Sequence, residues 1–216
     1  MVRAVIFDLD GVLVTTDEMH YRAWKQLADE HGIPFDRGTN SRLRGVSRME
    51  SLEIMLERAD RPYTPEQKLE MAERKNDCYR RLLADLTPND ALPGAREMLA
   101  ELRNRGILIA IGSSSKNAPT ILERVGLNGL IDALVDGNHI KASKPDPEVF
   151  LLAAKALGVA PEECVVVEDA AAGIEAARRA GMAVFGIGEP GSLPGVDNMA
   201  RNLSEVTAER LLHGSN

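Results

Sequence analysis

Three things are scarce in this chain, and each shortage removes a class of function. Cys78 and Cys164 are the only cysteines in 216 residues. They stand far apart with no histidine at metal-ligand spacing, which excludes a zinc site and a disulfide scaffold and suits a reducing compartment. Long apolar runs are also missing: none approaches the roughly 20 residues needed to span a bilayer. The N-terminus runs straight into a strand-like segment, without the charged-then-apolar profile of a secretory leader. The third shortage is positive charge. Twenty-six Lys and Arg against 33 Asp and Glu leave a net charge of −7, which argues against nucleic acid or an anionic membrane as a partner. A phosphorylated substrate would then need a local basic pocket. The expectation is a cytoplasmic, monomeric protein acting on a small molecule.

What is present is apolar content of 44%, enough for a substantial core in one domain or in a domain with an insert. Val2 to Ile6 lead into Phe7-Asp8-Leu9-Asp10-Gly11, which reads as a buried strand that stops abruptly. From Thr15 to Leu86 the spacing is helical, with no convincing strand. Tyr21 to Ala28 continues to a stop at Gly32 and Pro34, and Met49, Leu52, Met55, Leu56 and Ala59 recur at helical intervals. Thr64-Pro65-Glu66-Gln67 is a capping box with proline at the first helical position. The helix it opens carries Leu69, Ala72, Tyr79, Leu82 and Leu86 on one face.

Beyond Pro93 helices and apolar strands alternate. Helices over 93–105, 116–125, 147–157 and 170–180 end at Gly106, Gly126, Gly158 and Gly181. Strands fall at 107–112, 131–135, 164–167 and 183–187, and a last helix near 204–212. Continuous apolar strands between helices predict an α/β fold, a Rossmann-like parallel sheet covered on both faces. The domains expected are a core of 1–14 and 87–216 and an inserted α-helical cap of 15–86.

In open parallel sheets, ligands sit at the carboxyl ends of the strands. The first strand ends in Asp8 and Asp10. The next is followed by Ser113-Ser114-Ser115-Lys116-Asn117, hydroxyls and amides at a helix start that suit an anion. Lys144 stands in a turn rigidified by Pro145 and Pro147, and Glu168-Asp169 follow the fourth strand. Each has a bland reading: caps for the serines and acids, a solvated charge for the lysine. Four acids, one lysine and a hydroxyl-rich helix start on one sheet edge favour chemistry over coincidence.

The order Asp8-x-Asp10-Gly11, Ser113, Lys144-Pro145, Glu168-Asp169 resembles the four motifs of the haloacid dehalogenase superfamily of phosphotransferases. The helical insert resembles that superfamily's cap, over essentially the whole chain. The segments at His20-Tyr21-Arg22-Ala23-Trp24, Arg44-Gly45-Val46-Ser47-Arg48, Arg74-Lys75-Asn76-Asp77 and Ser113 to Asn117 narrow the resemblance to the superfamily's sugar phosphomutases. It implies interconversion of β-glucose 1-phosphate and glucose 6-phosphate, with β-glucose 1,6-bisphosphate as intermediate and activator. Asp8 would be the nucleophile that forms an aspartyl-phosphate, and Asp10 the general acid and base. Mg²⁺ would be held by Asp8, the Asp10 carbonyl and Asp169, assisted by Glu168. Lys144 and Ser113 would contact the transferring phosphoryl oxygens.

A mutase also needs a site for the phosphate that does not react. By resemblance Arg48 supplies it, as a guanidinium suited to phosphate, with Lys116 and Asn117 from the core side. Lys75 would face the sugar, and Trp24, Gly45, Val46, Ser47, Ser114 and Ser115 complete the binding set. His20 would couple cap closure to Asp10, Thr16 is the hinge position, and Arg44 is a further basic partner. One departure is Thr15, where many relatives carry Asp; it touches neither nucleophile nor metal ligands but bears on the hinge hydrogen bonds. A sugar-phosphate phosphatase on the same scaffold is the alternative. A non-catalytic module is disfavoured, because unpaired buried charge would go unexplained.

Overall fold

The computed structural model describes residues 1–43 and 46–213, and of His213 the backbone only. Arg44 and Gly45 therefore lie outside the described residues. The expected sheet is present: β1 (Ala4–Phe7), β2 (Leu108–Gly112), β3 (Ala133–Val135), β4 (Cys164–Glu168), β5 (Ala183–Ile187) and β6 (Met199–Ala200) pair in the order β3-β2-β1-β4-β5-β6, all parallel. The chain lays β2 and β3 on one side of β1, then crosses to lay β4 to β6 on the other. That reversal at β1 opens a crevice at the carboxyl ends of β1 and β4. β6 is too short for its sequence pattern to announce it.

Side-chain alternation sorts the two faces. Val5, Phe7, Val165 and Val167 enter one buried cluster, whereas Ala4, Ile6, Cys164 and Val166 enter the other. The parity continues past the apolar run, so Asp8 and Glu168 follow Ile6 and Val166 toward the second face.

The helices between β1 and β2 are α1 (Asp17–Glu30), α2 (Arg37–Ser41), α3 (Arg48–Leu56) and α4 (Pro65–Leu83). Their own core is built from Trp24, Leu27 and Ala28 of α1, Leu52 and Met55 of α3, and Met71 and Ala72 of α4. The Thr64 capping box forms as expected, with Gln67 reaching back to the Thr64 amide at 2.9 Å. The buried face of α4 differs from the one expected. Leu69 is 57% exposed, and the face turned inward is Met71, Ala72, Lys75, Cys78, Tyr79 and Leu83. A lysine inside that stripe masked the true register. α2, capped by Asp36 on the Thr39 amide at 2.7 Å, is a short helix that apolar spacing does not reveal.

The remaining helices are α5 (Ala95–Asn104), α6 (Ala118–Arg124), α7 (Glu148–Leu157), α8 (Ala171–Arg179) and α9 (Ala208–His213). α5 and α6 contribute Met98, Leu99, Leu102, Ile121 and Leu122 to the first face. α7 and α8 contribute Phe150, Ala153, Ala176 and Ala177 to the second. α9 begins later than the sequence suggests, because residues Leu203–Glu205 form a separate single turn.

Candidate active site

β1 ends at Phe7, and the chain folds back on itself: the Gly11 amide donates to the Val14 carbonyl at 2.7 Å. Asp8 and Asp10 therefore do not share a strand, but both line one cavity. Gly11 has a φ of +87°, and a Cβ there would lie 2.1 Å from an Asp169 carboxylate oxygen. The space its missing side chain leaves is filled by the Asp169 carboxylate.

Lys144 is fully buried, and its Nζ donates to Asp8 at 2.5 Å and to Glu168 at 2.8 Å. It reaches them because it sits just before α7, which packs on the face where Asp8 and Glu168 emerge. Its ammonium also lies 4.8 Å from the centre of the Phe150 ring. Burial by itself would lower the Lys144 pKa. The two carboxylates outweigh it and hold the ammonium above the ordinary lysine value. Burial pushes the Glu168 carboxyl up, and the Lys144 charge opposes that rise. Both Glu168 oxygens are engaged, the second accepting from the Ala170 amide at 2.7 Å. Glu168 thus stands behind the site as the partner that positions Lys144.

Carboxylate oxygens of Asp8, Glu168 and Asp169 lie within 4.8 Å of one another. Three carboxylates against one buried ammonium leave two negative charges, and the donors are hard oxygens. That set fits a divalent cation of the magnesium type.

Asp10 faces a different environment. Its Oδ1 accepts from the Thr16 hydroxyl, which in turn accepts from the Tyr79 hydroxyl at 2.9 Å. Burial, opposed by the Thr16 hydrogen bond and reinforced by the charge of Asp8, raises the Asp10 pKa to about 7. A carboxyl in that range takes up and gives back a proton near neutrality. Thr16 itself is buried beneath the cavity floor and does not line it.

Lys75 completes the cap side. Its Nζ stands 2.8 Å from His20 Nδ1, 4.5 Å from the Tyr79 ring centre and 4.8 Å from that of Trp24. Burial, joined by the nearby Arg48 guanidinium, lowers the Lys75 pKa to about 7. Burial, joined by the nearby Lys75 and Arg48 charges, holds His20 well below the usual histidine range. The Tyr79 ring lies against His20, with ring centres 4.0 Å apart and planes tilted by 32°.

The opposite wall carries the loop after β2. The Ser113 hydroxyl accepts from the Ser115 amide at 3.1 Å, and the Ser115 hydroxyl from the Asn117 amide at 3.2 Å. These two turns order the loop, and Ser113, Ser114, Ser115 and Asn117 line the cavity. Lys116 does not line it and its residue is exposed. Arg48 lines the cavity at the start of α3, donating to the Asn76 amide oxygen at 2.8 Å, and Val46 lines it nearby. Ser47 has a structural partner: its hydroxyl caps α3 by accepting from the Glu50 amide at 3.2 Å. Gly45 and Arg44 fall outside the described residues.

Besides Asp17, Asn40, Leu43 and Ser51, which also line the cavity, two contributors on α4 are absent from the site residues read from the sequence, Tyr79 and Asn76. Both sit one turn apart on α4 beside Lys75, and the only signal for Asn76 was its place next to that lysine.

The family model of haloacid dehalogenase-like hydrolases matches residues 2–181. The chain is 46% identical to the β-phosphoglucomutase of Bacillus subtilis over 98% of this chain and 94% of that protein. It is 34% identical to a phosphorylated carbohydrates phosphatase of Thermotoga maritima over 86% of this chain and 85% of that one. Among solved structures, a β-phosphoglucomutase from Clostridium difficile superposes with a TM-score of 0.92 at 39% identity, covering 97% of this chain and 95% of the other.

Proposed function

The chain belongs to the haloacid dehalogenase-like hydrolase family, and from that premise we propose that it is a phosphomutase interconverting β-glucose 1-phosphate and glucose 6-phosphate. The observation that carries this reading is one cavity shared by two sets of groups: Asp8 and Asp10 on the core, Arg48 and Lys75 on the helical insert. A phosphatase needs only the first set. A mutase must also hold the far end of a sugar bisphosphate and keep water off the phosphoenzyme.

In the reading proposed, the insert of residues 15–86 acts as the cap. Asp8 carries the phosphoryl group as an aspartyl-phosphate. When β-glucose 1-phosphate binds, Asp10 takes the proton of the sugar 6-hydroxyl as its oxygen attacks phosphorus, and the bond from phosphorus to Asp8 breaks. The resulting β-glucose 1,6-bisphosphate rebinds with its ends exchanged. Asp8 attacks the 1-phosphoryl group, and Asp10 returns the proton to the departing sugar oxygen, leaving glucose 6-phosphate and the phosphoenzyme. An Asp10 pKa of about 7 suits both halves of that cycle. Lys144 and Ser113 face the transferring phosphoryl group, and Arg48 and Asn117 the other. A magnesium ion on Asp8 and Asp169, with the Asp10 carbonyl, would screen the repulsion between the nucleophile and the phosphoryl oxygens. A trace of the bisphosphate serves as activator by phosphorylating Asp8.

A second reading, a sugar-phosphate phosphatase, is favoured by the likeness to the Thermotoga maritima protein. One assay separates the two. Incubation with anomerically pure β-glucose 1-phosphate, Mg²⁺ and catalytic bisphosphate is expected to yield glucose 6-phosphate with little inorganic phosphate. Rapid phosphate release without glucose 6-phosphate would overturn the mutase assignment.

A further inference from the structure

Asn40 lines the cavity that holds Asp8, and its Oδ1 is buried with no hydrogen-bond partner among the described residues. A buried acceptor left unpaired is costly, so one that faces a cavity calls for a donor that arrives from outside. The helix that carries it, α2, is tied to the insert at both ends. Asp36, its N-cap, accepts from the Thr39 amide at 2.7 Å and from Arg58 Nη1 at 2.8 Å. Arg42, its C-cap, donates to both oxygens of Glu57, at 2.7 and 2.8 Å, where α3 ends. Asn40 lies between these two anchors.

The rest of the wall indicates what that donor is. Arg48 and Lys75 on the insert carry protons and no lone pair to accept with. Asn76 Oδ1 already accepts from Arg48 at 2.8 Å and from Asn117 at 2.9 Å. A sugar hydroxyl both accepts and donates, so the cations can meet its lone pairs while its proton still needs an acceptor. A phosphate dianion has no proton to offer Asn40, and an apolar group would leave the amide oxygen orphaned. We propose that Asn40 is a specificity-determining residue whose amide oxygen accepts a hydrogen bond from a ring hydroxyl of the sugar phosphate. The inference rests on the proposed function and deepens it.

The shape of the sugar lets one fixed acceptor serve the whole cycle. In β-glucopyranose every ring substituent is equatorial. A half-turn about the line through C3 and the ring oxygen exchanges C1 with C5 and C2 with C4, which presents the other end of the bisphosphate to Asp8. The 3-hydroxyl keeps its place under that half-turn, and the 2- and 4-hydroxyls take each other's. An acceptor beside any of the three positions therefore meets an equatorial hydroxyl in both orientations. A hexose epimeric at the position it reads would leave the amide oxygen buried and unpaired, and a site built to bond a hydroxyl rejects such an analogue.

The test uses the full chain, two substitutions and a set of ligands. Trp24, the single tryptophan, lines the cavity and reports binding by fluorescence. The Kd is measured for glucose 6-phosphate and for its 2-, 3- and 4-deoxyfluoro derivatives, each of which lacks one hydroxyl proton. Asn40→Ala removes the acceptor, and Asn40→Leu removes it while filling the same space. Both variants are expected to raise the Kd for glucose 6-phosphate roughly threefold to tenfold, the worth of one neutral hydrogen bond. No hydrogen bond ends on Asn40 Oδ1, so the urea midpoint of Asn40→Leu should match wild type. One of the three fluorine substitutions should weaken binding to wild type by a similar factor and have no effect in either variant. The other two should act alike on all three proteins. Variants that bind glucose 6-phosphate as tightly as wild type would overturn the proposal, as would equal losses across the parent and all three derivatives. If wild type binds glucose 6-phosphate yet only releases phosphate from β-glucose 1-phosphate, the mutase reading fails, while the derivative series still judges Asn40.

Discussion

Gly173 is the third residue of α8, and general helix energetics recommend replacing it: alanine for glycine inside a helix gains about 0.5–1 kcal/mol. The site predicts the opposite sign. A Cβ at position 173 would lie 1.7 Å from Glu168 Oε1 and 2.0 Å from its Cδ, so the carboxylate must leave its place. Leaving it breaks two hydrogen bonds of a buried charged group, at 2.8 Å to Lys144 and at 2.7 Å to the Ala170 amide. Hydrogen bonds to charged groups contribute about 1.5–3 kcal/mol each, so the loss is roughly 3–6 kcal/mol. Subtracting about 1 kcal/mol of helix propensity leaves Gly173→Ala destabilised by roughly 2–5 kcal/mol. Urea unfolding followed by circular dichroism measures this, and the displaced Glu168 should also release Lys144 and lower kcat at least tenfold. The cycle with Glu168→Ala isolates the cause, since that change removes every clashing atom. In the Glu168→Ala background, Gly173→Ala should stabilise. A Gly173→Ala protein as stable and as active as wild type would refute the account of how Lys144 is held.

Further outcomes follow from the same geometry. Asp10 has its pKa raised from 3.8 to about 7, so the native state holds that proton more tightly than the unfolded chain does. Its contribution is complete below pH 4 and is lost as pH rises through 7. In metal-free buffer, wild type should lose stability across that window relative to Asp10→Asn, and parallel curves would contradict the buried-acid assignment. Lys75 has the reverse sign for a base: a pKa lowered from 10.5 to about 7 penalises the native state below pH 7 and relents as pH rises toward 10.5. Lys75→Met should therefore be more stable than wild type at pH 6, with the difference vanishing at alkaline pH, while sugar-phosphate turnover collapses. Asp8→Asn should show no acyl-phosphate resonance by ³¹P NMR after exposure to the bisphosphate. A hydroxylamine-labile phosphate retained in that variant would move the nucleophile elsewhere.

Five of the six strands and the acids at the sheet edge are legible in the amino-acid pattern. Buried parallel strands must be continuous apolar runs, and ligands collect where such strands end, so Asp8, Asp10, Ser113, Lys144, Glu168 and Asp169 were visible as chain punctuation. Helix stops at Gly106, Gly126, Gly158 and Gly181 were visible for the same local reason, each taking a positive φ past a helix end. What a residue does once it arrives was decided only by tertiary structure. Ser47 has the residue type of a ligand, yet it spends its hydroxyl on a helix cap, and Glu168, one of the clustered carboxylates, also holds Lys144 and the Ala170 amide. Tyr79 reads as one more apolar position on an amphipathic helix, and becomes the support of Thr16 and His20 only when α1 packs on α4. Gly11 is a glycine because Asp169, from distant sequence, needs the volume a Cβ would take, and at Gly173 that volume is taken by Glu168, five residues earlier. Local pattern records backbone conformation and burial. Charge partners, close approaches and the pKa values they produce exist only between segments, and so they appear only when the chain is folded.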